Sequence, residues 1–219
     1  MAPPDRWYVP QVTGFQRELL ALIGVSPDRV VDSAVVPHVR AEVLVVPGLA
    51  SDVERNPPWV ARTLRERLCP PDVARVPGRH LYVTRGSARN NRAVLNEPEV
   101  LALLQTHGFE VVDPGAMSVA EQIRTFAEAD VIVAPHGAAL ANLVFCSPGS
   151  TVLELFPAMS FVADYWKMAW GVPGLEYRYL GGAGKPVGTT RGEFVVADIT
   201  VDLGRLRTVV EELLAARRG

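Results

Sequence analysis

The spacing of apolar and polar residues becomes regular from about residue 79, where short apolar runs alternate with longer segments of mixed polarity. Short runs rich in β-branched residues predict strands, and segments with an apolar residue about every three or four positions predict helices. The predicted strands are His80–Thr84, Phe109–Val112, Val131–Ala134, Thr151–Leu155, Leu175–Leu180 and Phe194–Val196. The predicted helices are Glu97–His107 with Asn96 as its cap, Ser118–Ala129, Ala138–Phe145, Phe161–Trp170 and Asp202–Arg217.

This alternation determines the predicted fold class. Val131–Ala134 and Thr151–Leu155 are largely apolar on both faces, which is typical of strands that are covered on both sides of a parallel sheet. A helix between successive strands is the connection that parallel neighbours need. We therefore predict an α/β protein with a Rossmann-like, doubly wound parallel sheet.

The residues before the regular part have weaker patterns. β-branched runs indicate two strands, and a pair of prolines opens a predicted helix. We place a domain boundary after residue 72, which gives a partial front lobe over residues 1–72 and a Rossmann-like domain over residues 73–219. The elements predicted in the front lobe are a helix at Phe15–Ile23, strands at Val30–Val36 and Glu42–Val46, and a helix from Pro57 to Leu68.

Composition excludes several classes of function. Apolar residues make up 48% of the chain and charged residues 21%, which predicts a globular protein with an ordinary solvated surface. The formal net charge of −2 provides no overall positive field, so nucleic acid and anionic membranes are not expected partners. No apolar run reaches the roughly 20 residues that a membrane helix needs, so no membrane span is predicted.

The amino terminus and the cysteines predict a cytoplasmic location. Residues 1–10 lack the basic start and the apolar stretch of a signal peptide. Cys69 and Cys146 are far apart and do not have metal-ligand spacing, so we interpret them as small apolar residues in a reducing compartment.

Ligands of doubly wound sheets lie beyond the carboxyl ends of the strands, so the residues after each predicted strand are the candidate site. Between Val73 and Asn96 there are five arginines and no acidic residue. Arginine presents a fork of donors that matches phosphate oxygens, so this segment is a candidate anion site. The alternative is a solvated loop whose arginines pair with acidic residues elsewhere. The five are Arg75, Arg79, Arg85, Arg89 and Arg92.

The segment Pro135–Ala139 follows another predicted strand and leads directly into a predicted helix. Small residues there let backbone N–H groups approach a ligand, and the amino end of a helix favours an anion. His136 is expected at the mouth of this site, where it would donate to a phosphate oxygen. The alternative is a tight turn with a surface histidine.

Glu154 lies near the end of an otherwise apolar predicted strand, where a carboxylate is costly to bury without partners. At the carboxyl end of the strand it could accept both hydroxyls of a ribose. The alternative is a structural salt bridge to one of the arginines. Asp113 is a less specific candidate, because Pro114 and Gly115 after it indicate a turn.

These residues, in this order, resemble the family 61 glycosyltransferases. The run from His136 to Asn142, together with Arg85 and the pair Asn96–Glu97 upstream, carries most of the resemblance. It covers residues 79–170 closely and extends loosely back to Phe15. The matching stretches are Val83–Arg85, Arg92–Glu97, Gly108–Glu110, Ser118 with Glu121–Ile123, Ala134–Asn142 and Gly149–Leu155.

The resemblance implies a GT-B architecture, in which two Rossmann-like lobes face each other and the C-terminal lobe holds a nucleotide-sugar donor. It also implies an inverting glycosyltransferase that needs no metal or other cofactor, and we expect a UDP-linked donor. The acceptor would be a saccharide, a peptide or a small molecule. Departure of the nucleoside diphosphate builds negative charge, which fixed donors would stabilise in place of a cation.

Carried onto this sequence, the resemblance assigns donor-binding roles to the candidate site. Arg85 and the backbone at His136–Ala139 would hold the diphosphate, Glu154 would bind the ribose, and Asn142 would fix the short helix against the loop. Three residues would shape the loop after the first strand: Arg92, Asn96 and Glu97. The expected substrate-binding residues are Arg85, Arg89, Arg92, Asn96, Glu97, His136, Gly137, Ala138, Ala139, Asn142 and Glu154.

Two departures from the family pattern affect the functional expectation. The residues before the nucleotide lobe are few, so the acceptor lobe is expected to be shortened, with a homodimer or a partner subunit completing the cleft. Ala139 also stands where the family usually has a second glycine. The candidates for the catalytic base are His38, Asp52 and His136, and Glu54 and His80 are further polar groups to test.

Two other functions compete with a glycosyltransferase. The first is a non-catalytic nucleotide-binding or assembly module derived from the GT-B fold. The second is an unrelated Rossmann enzyme such as an oxidoreductase or a methyltransferase. The second is disfavoured because no predicted strand is followed by the glycine pattern of dinucleotide-binding folds.

Overall fold

A computed structural model of the chain describes residues 3–47, 57–86, 93–158, 161–184 and 197–217. The strands are β1 (Trp7–Val9), β2 (Val30–Asp32), β3 (His80–Val83), β4 (Phe109–Val112), β5 (Val131–Pro135), β6 (Thr151–Phe156) and β7 (Glu176–Gly181). The α-helices are α1 (Gly14–Leu22), α2 (Pro58–Leu68), α3 (Glu97–Gln105), α4 (Val119–Glu128), α5 (Asp164–Ala169) and α6 (Leu203–Ala215). Three 3₁₀ helices cover Pro27–Arg29, Pro114–Ala116 and Ala138–Phe145.

The core of the molecule is a five-stranded sheet in which all paired strands are parallel, in the order β4-β3-β5-β6-β7. Within this sheet the chain passes first through β3, then through its neighbour β4, and then crosses to β5 on the other side of β3. Such a reversal separates the loops that follow two neighbouring strands and opens a crevice at their carboxyl ends. The prediction of a Rossmann-like parallel sheet is confirmed.

Helices cover both faces of the sheet, and each face has its own hydrophobic core. One core packs side chains of α2, α4 and the 3₁₀ helix Ala138–Phe145 against Leu81, Ile132 and Val152. The other packs α3 and α6 against Tyr82 and Val133. Successive strand residues point to opposite faces, so a strand that is apolar throughout contributes to both cores. This explains why β5 and β6 are buried along their whole length.

The helix ends agree with the predicted caps in part. Ser118 caps α4 with a complete capping box to Glu121, as predicted. The segment Ala138–Phe145 is helical as predicted, but it is a 3₁₀ helix. Asn96 occupies the N-cap position of α3, as predicted, but its side chain makes no capping bond and bonds the main chain of Val201 instead.

The front segment differs most from the predicted elements. Trp7–Val9, where no element is predicted, forms a strand paired in parallel with Val30–Asp32, which is only the first part of the predicted strand Val30–Val36. The predicted strand Glu42–Val46 is wrong: these residues are irregular and exposed, with Val43 79% exposed. A β-branched run forms a strand only where a neighbour pairs with it, and no pairing of this run occurs among the described residues.

The front segment packs on the Rossmann-like part. Ala61 and Leu68 of α2 are buried in the same core as the sheet, and Leu19 of α1 packs against that core. The Glu18 carboxylate also accepts the Val119 N–H at the start of α4, at 2.7 Å. Within the described ranges, residues on both sides of the predicted boundary at 72 therefore share one hydrophobic core.

One predicted strand, Phe194–Val196, lies outside the described residues. The late strand Leu175–Leu180 is present as β7, and the closing helix Asp202–Arg217 as α6 with Asp202 at its cap. None of the helices in the described ranges is both long and apolar enough to cross a bilayer.

Candidate functional site

A cavity of about 380 Å³ lies at the carboxyl ends of β3, β4 and β5. This is the point where the strand order reverses, and it is where doubly wound folds hold their ligands. Its volume falls within the range typical of small-molecule sites. The lining residues are Val83, Thr84, Arg85, Asp113, Pro114, Gly115, Ala116, Pro135, Gly137, Ala138 and Ala139.

Arg85 brings a guanidinium group to the cavity wall from the end of β3. Its Nη1 donates to the main-chain carbonyl of His136, at 3.0 Å. The same nitrogen lies so close to the Cα of Gly137 that a Cβ at this position would collide with it. The backbone of Gly137 is extended, with φ 171°, so glycine is favoured here because it leaves space for the guanidinium and not because of its conformation. The Arg85 guanidinium therefore contacts the main chain at His136 and Gly137, in the predicted loop.

The main chain after Gly137 begins the 3₁₀ helix. The Leu140 N–H donates to the Gly137 carbonyl at 3.0 Å and closes its first turn. The N–H groups of Ala138 and Ala139 precede this bond, as the first amides of a helix do. Ala138 is exposed, and both residues line the cavity. The loop therefore has the geometry that the sequence predicted for close approach of an anion to main-chain donors.

His136 does not lie at the mouth of the site, and its predicted side-chain contact with phosphate has no basis in this conformation. The side chain is 7% exposed, with its ring 5.0 Å from the Phe156 ring and 5.4 Å from the Tyr165 ring. Its Nδ1 is hydrogen-bonded to Glu154. The following strand and α5 cover the ring, which the local sequence did not indicate.

Glu154 lies behind the loop and not on the cavity surface. It has no exposed area, and its two carboxylate oxygens bond His136 Nδ1 and the Tyr177 hydroxyl. Burial raises the pKa of Glu154 above its ordinary value, although the bonds from His136 and Tyr177 act in the opposite direction. In this conformation the carboxylate presents no surface to the ribose that we predicted as its partner, and its contacts are not the arginine salt bridge of the alternative.

Glu97 supports the loop after β3. Its Oε1 accepts the hydroxyl groups of Tyr82 and Thr84, each at 2.9 Å. Thr84 lines the cavity, so Glu97 reaches the site through this residue. Asn96 forms a two-bond pair with the Val201 main chain, at 2.9 Å for each bond. It fastens the start of α3 to the segment before α6 and does not line the cavity.

Asn142 braces the 3₁₀ helix. Its Nδ2 donates to Gln122 Oε1 at 2.9 Å and to the Ala139 carbonyl at 3.2 Å. It is absent from the cavity lining. Asn142 therefore joins the short helix to α4, whereas we expected it to fix that helix against the loop and to belong to the substrate-binding residues.

Asp113 follows β4 and brings a carboxylate to the cavity. Its Oδ1 accepts the Gly115 N–H at 2.9 Å, which caps the 3₁₀ helix Pro114–Ala116. The turn predicted from Pro114 and Gly115 is therefore present, and it holds the carboxylate at the cavity. Asp113 is the single acidic residue among the described residues that line the cavity.

Two of the five clustered arginines lie at the opposite edge of the sheet. Arg75 pairs with Asp130 at 2.5 Å, and Arg79 pairs with Glu128. Both precede β3 and therefore lie at its amino end, away from the cavity. For these two residues the prediction of an anion patch is wrong, and pairing with acidic residues, the alternative, is correct.

The remaining predicted residues are placed as follows. His38 is exposed on an irregular segment and is absent from the cavity lining. His80 lies at the amino end of β3 with its ring 5.1 Å from the Phe109 ring, and burial lowers its pKa. Four residues lie outside the described residues: Asp52, Glu54, Arg89 and Arg92.

Sequence reasoning missed two residues of this region. Tyr177 was noticed only as part of a late strand, although its hydroxyl bonds Glu154. Thr84 was included in a predicted strand without a role, although it lines the cavity and bonds Glu97. A tyrosine in a predicted strand is too common a feature to indicate that its hydroxyl bonds a residue 23 positions away. Within the described ranges, no three His, Cys, Asp or Glu side chains come together to hold a metal ion.

Comparison with known proteins gives a family match across the cavity region. The profile described as Glycosyltransferase 61 matches residues 5–153, which include nearly all of the front segment and the chain through the first half of β6. The match contains every described residue that lines the cavity.

Curated relatives align with a smaller part of the chain. Those of Canis lupus familiaris and Homo sapiens, each called protein O-linked-mannose beta-1,4-N-acetylglucosaminyltransferase 2, are 33% identical over 104 residues. The protein of the same name from Mus musculus is 32% identical over the same length. Each alignment covers 45% of this chain and 18% of the relative, so less than a fifth of each relative is matched.

Proposed function

The chain belongs to the glycosyltransferase 61 family, and from this premise we propose that it transfers a sugar from a UDP-linked donor to an acceptor. The observation that carries the proposal is the cavity lined by Arg85 and by Gly137–Ala139, with Arg85 bonded to the His136 carbonyl at its wall. The names of the relatives contain N-acetylglucosaminyl, so UDP-N-acetylglucosamine is the first donor to test.

The donor diphosphate is proposed to lie between Arg85 and the start of the 3₁₀ helix. A guanidinium offers paired donors to phosphate oxygens, and the Ala138 and Ala139 N–H groups offer further donors. Gly137 has no Cβ, which leaves room for the Arg85 guanidinium beside the main-chain donors. These groups would stabilise the charge that develops on the departing UDP, so the proposed reaction needs no metal.

The proposed reaction inverts the configuration of the sugar. The acceptor oxygen would attack the anomeric carbon from the face opposite the diphosphate while a base takes its proton. Of the predicted bases, His38 does not line the cavity, His136 is buried behind it, and Asp52 lies outside the described residues. Asp113 lines the cavity, so it joins the candidates for this role.

The acceptor and the subunit arrangement belong to the same proposal. We propose a saccharide, a peptide or a small molecule as the acceptor, with a homodimer or a partner subunit completing the cleft. We also propose a cytoplasmic location, which the two unpaired cysteines, Cys69 and Cys146, support.

A non-catalytic nucleotide-binding module is the second candidate function. It is favoured by one observation: none of the described residues predicted as a base has a side chain in the cavity. Such a module would bind the nucleotide through the same groups but would not release UDP from the sugar.

Calorimetric titration with UDP and UDP-N-acetylglucosamine, in the presence of EDTA, tests the proposal directly. We expect both to bind and EDTA to leave the affinity unchanged. Release of UDP over a panel of acceptors, followed by NMR of the anomeric proton, would establish transfer with inversion. Binding without turnover across the panel would favour the module.

Two results would contradict both candidates. One is the absence of binding to any nucleoside diphosphate. The other is preferential binding of NAD or S-adenosylmethionine, which would indicate an unrelated Rossmann enzyme.

A further inference from the structure

A buried polar network lies directly behind the loop that carries the cavity's main-chain donors. It joins the Tyr177 hydroxyl, the Glu154 carboxylate and the His136 imidazole, in that order. These three side chains come from β7, from β6 and from the residue after β5. None of them lines the cavity, so the network has no direct access to a ligand there.

His136 is held at three separate points. Its N–H donates to the Leu155 carbonyl at 2.8 Å, which continues the pairing of β5 with β6. Its ring is bonded to Glu154. Its own carbonyl accepts Arg85 Nη1 at 3.0 Å. The residue is thus the physical link between a buried carboxylate and the guanidinium at the cavity wall.

The chemistry of the network favours one arrangement. Glu154 has no exposed surface, so its carboxylate needs hydrogen bonds on both oxygens, and His136 and Tyr177 supply them. Burial and the nearby Glu154 charge raise the pKa of Tyr177, so its phenol stays protonated as a donor. A carboxylate bonded to one ring nitrogen fixes the tautomer and the orientation of an imidazole.

We propose that Glu154 and Tyr177 are positioning residues, which act through His136 to hold Arg85 and the loop Gly137–Ala139 in place for a diphosphate. The His136 carbonyl can receive Arg85 only while the His136 main chain keeps its orientation, and the ring contact prevents rotation of that main chain. This inference depends on the proposed function only for the identity of the ligand, because the bond between Arg85 and the His136 carbonyl is a feature of the protein itself.

The alternative is that the network only stabilises the fold. A buried hydrogen-bonded carboxylate would do so wherever it lies in the core. The two roles differ in what the loss of the network changes. Loss of a purely stabilising network would lower the unfolding temperature and leave Arg85 in place, whereas loss of a positioning network would also disturb the contact between Arg85 and the His136 carbonyl.

The first measurement needs no ligand. The Nε–Hε signal of Arg85 and the imidazole nitrogen shifts of His136 are followed by NMR in the wild type, Glu154→Gln and Tyr177→Phe. We expect Glu154→Gln to shift the His136 nitrogens and to broaden the Arg85 signal, and Tyr177→Phe to do both to a smaller extent. An Arg85 signal that is unchanged in both variants would overturn the inference, whatever the chain binds.

The second measurement uses UDP and uridine as the two probes. We expect Glu154→Gln to weaken UDP about tenfold and Tyr177→Phe about threefold, the range for one buried hydrogen bond, with little change for uridine. In an Arg85→Ala background the Glu154→Gln effect on UDP should be smaller than in the wild type, because the part that acts through Arg85 is already lost and only the part that acts through the loop remains. Equal losses for UDP and uridine, or a full additional loss in that background, would contradict positioning.

Ser150→Ala is the matched control. Its buried hydroxyl donates to the Ala129 carbonyl at 2.6 Å, at the amino end of β6. It should lower the unfolding temperature and leave both the Arg85 signal and UDP affinity unchanged. If UDP fails to bind the wild type while Glu154→Gln still releases Arg85, the proposed function fails and the positioning role stands.

Discussion

The two edges of the central sheet each bury a carboxylate, but they surround it with different partners. At the amino edge, Asp130 bonds the guanidinium groups of Arg75 and Arg217, each at 2.5 Å, and the Gly78 N–H at 2.8 Å. At the carboxyl edge, Glu154 bonds an imidazole and a phenol. Two permanently charged guanidinium groups therefore lie beside Asp130. Glu154 instead has a neutral phenol and an imidazole, which can also be neutral, as its partners.

The pKa values of the two carboxyl groups are shifted from their ordinary values in opposite directions. Burial alone raises the pKa of Asp130, but the Gly78 N–H, Arg75 and Arg217 together bring it below its ordinary value. For Glu154 burial dominates, and its pKa lies above the ordinary value. Burial raises the pKa at both sites, and only at Asp130 do its partners, the Gly78 N–H and two guanidinium groups, outweigh it.

The comparison separates a structural use of arginine from a proposed binding use. Arg75 and Arg217 fasten the segment before β3 and the end of α6 to the sheet through one carboxylate. Arg85 instead meets a main-chain carbonyl at the wall of a cavity. All three residues are arginines. The structural role goes with a buried carboxylate partner, and the proposed binding role goes with a position on the cavity wall.

The largest expected effect is the loss of the amino-edge carboxylate. Asp130→Ala removes the common partner of two arginines, and we expect a loss of about 2–3 kcal/mol in the free energy of unfolding. This is below the usual cost of breaking a buried pair because the arginines are partly exposed. Denaturant unfolding measures it, and UDP affinity should not change. A loss of UDP binding in a folded Asp130→Ala protein would mean that the two edges are coupled.

Arg85→Ala is the corresponding change at the carboxyl edge. We expect UDP affinity to fall by about 2 kcal/mol, or about thirtyfold, because a charge-assisted bond to phosphate is lost. The unfolding free energy should change little. Arg75→Ala is the matched control: it should reduce stability and preserve affinity, and calorimetry with chemical denaturation distinguishes the two. Equal UDP affinity in wild type and Arg85→Ala would place the nucleotide elsewhere.

Gly137→Ala tests the contact between Arg85 and the loop with a single methyl group. The added Cβ would collide with Arg85 Nη1, the end of a flexible side chain, so the guanidinium should move while the fold persists. We expect UDP affinity to fall by about 1 kcal/mol, roughly fivefold. Gly181→Ala, where a Cβ would meet nothing within 4 Å, is the control. Unaltered affinity in Gly137→Ala would show that the contact is not needed.

The smallest effect is a difference in pH dependence. The pKa of Asp130 is lowered in the folded state, so its stabilisation is present above the ordinary value of 3.8 and is lost as pH falls through the folded value. The pKa of Glu154 is raised, so its favourable contribution is complete below the ordinary 4.5 and declines as pH rises through the folded value. The stability difference between wild type and Asp130→Asn should therefore become smaller as the pH falls. The difference between wild type and Glu154→Gln should become smaller as the pH rises. Unfolding curves from pH 3.5 to 8 measure both differences. If the two differences changed with pH in the same way, the proposed contrast between the partners of the two carboxyl groups would be contradicted.

Most of the central sheet was predictable because its signals are local. Val131–Ala134 is apolar on both faces, and Ser118 with Glu121 forms a capping box, so each element is specified within a few residues. The candidate site was predictable to the same extent, since Arg85 and Gly137 follow strands whose carboxyl ends must share one edge. Both residues line the cavity.

The front segment was less predictable because its elements depend on distant partners. Trp7–Val9 is too short to show a period of two, and it becomes a strand by pairing with Val30–Asp32. The run Glu42–Val46 has the composition of a strand, yet it is irregular and exposed. Composition indicates what a residue can pack against, and pairing depends on what the fold brings beside it.

The sequence alone determined the parallel α/β sheet, the family and the loop that follows β5, because periodicity and short motifs are properties of neighbouring residues. Only the tertiary structure decided the roles of His136 and Glu154, which are 18 residues apart along the chain. The parallel pairing of β5, β6 and β7 places His136, Glu154 and Tyr177 side by side, and Phe156 and Tyr165 cover the imidazole. Whether a polar side chain contacts a ligand or supports the residue that does depends on which neighbours exclude it from solvent, and that is a property of packing.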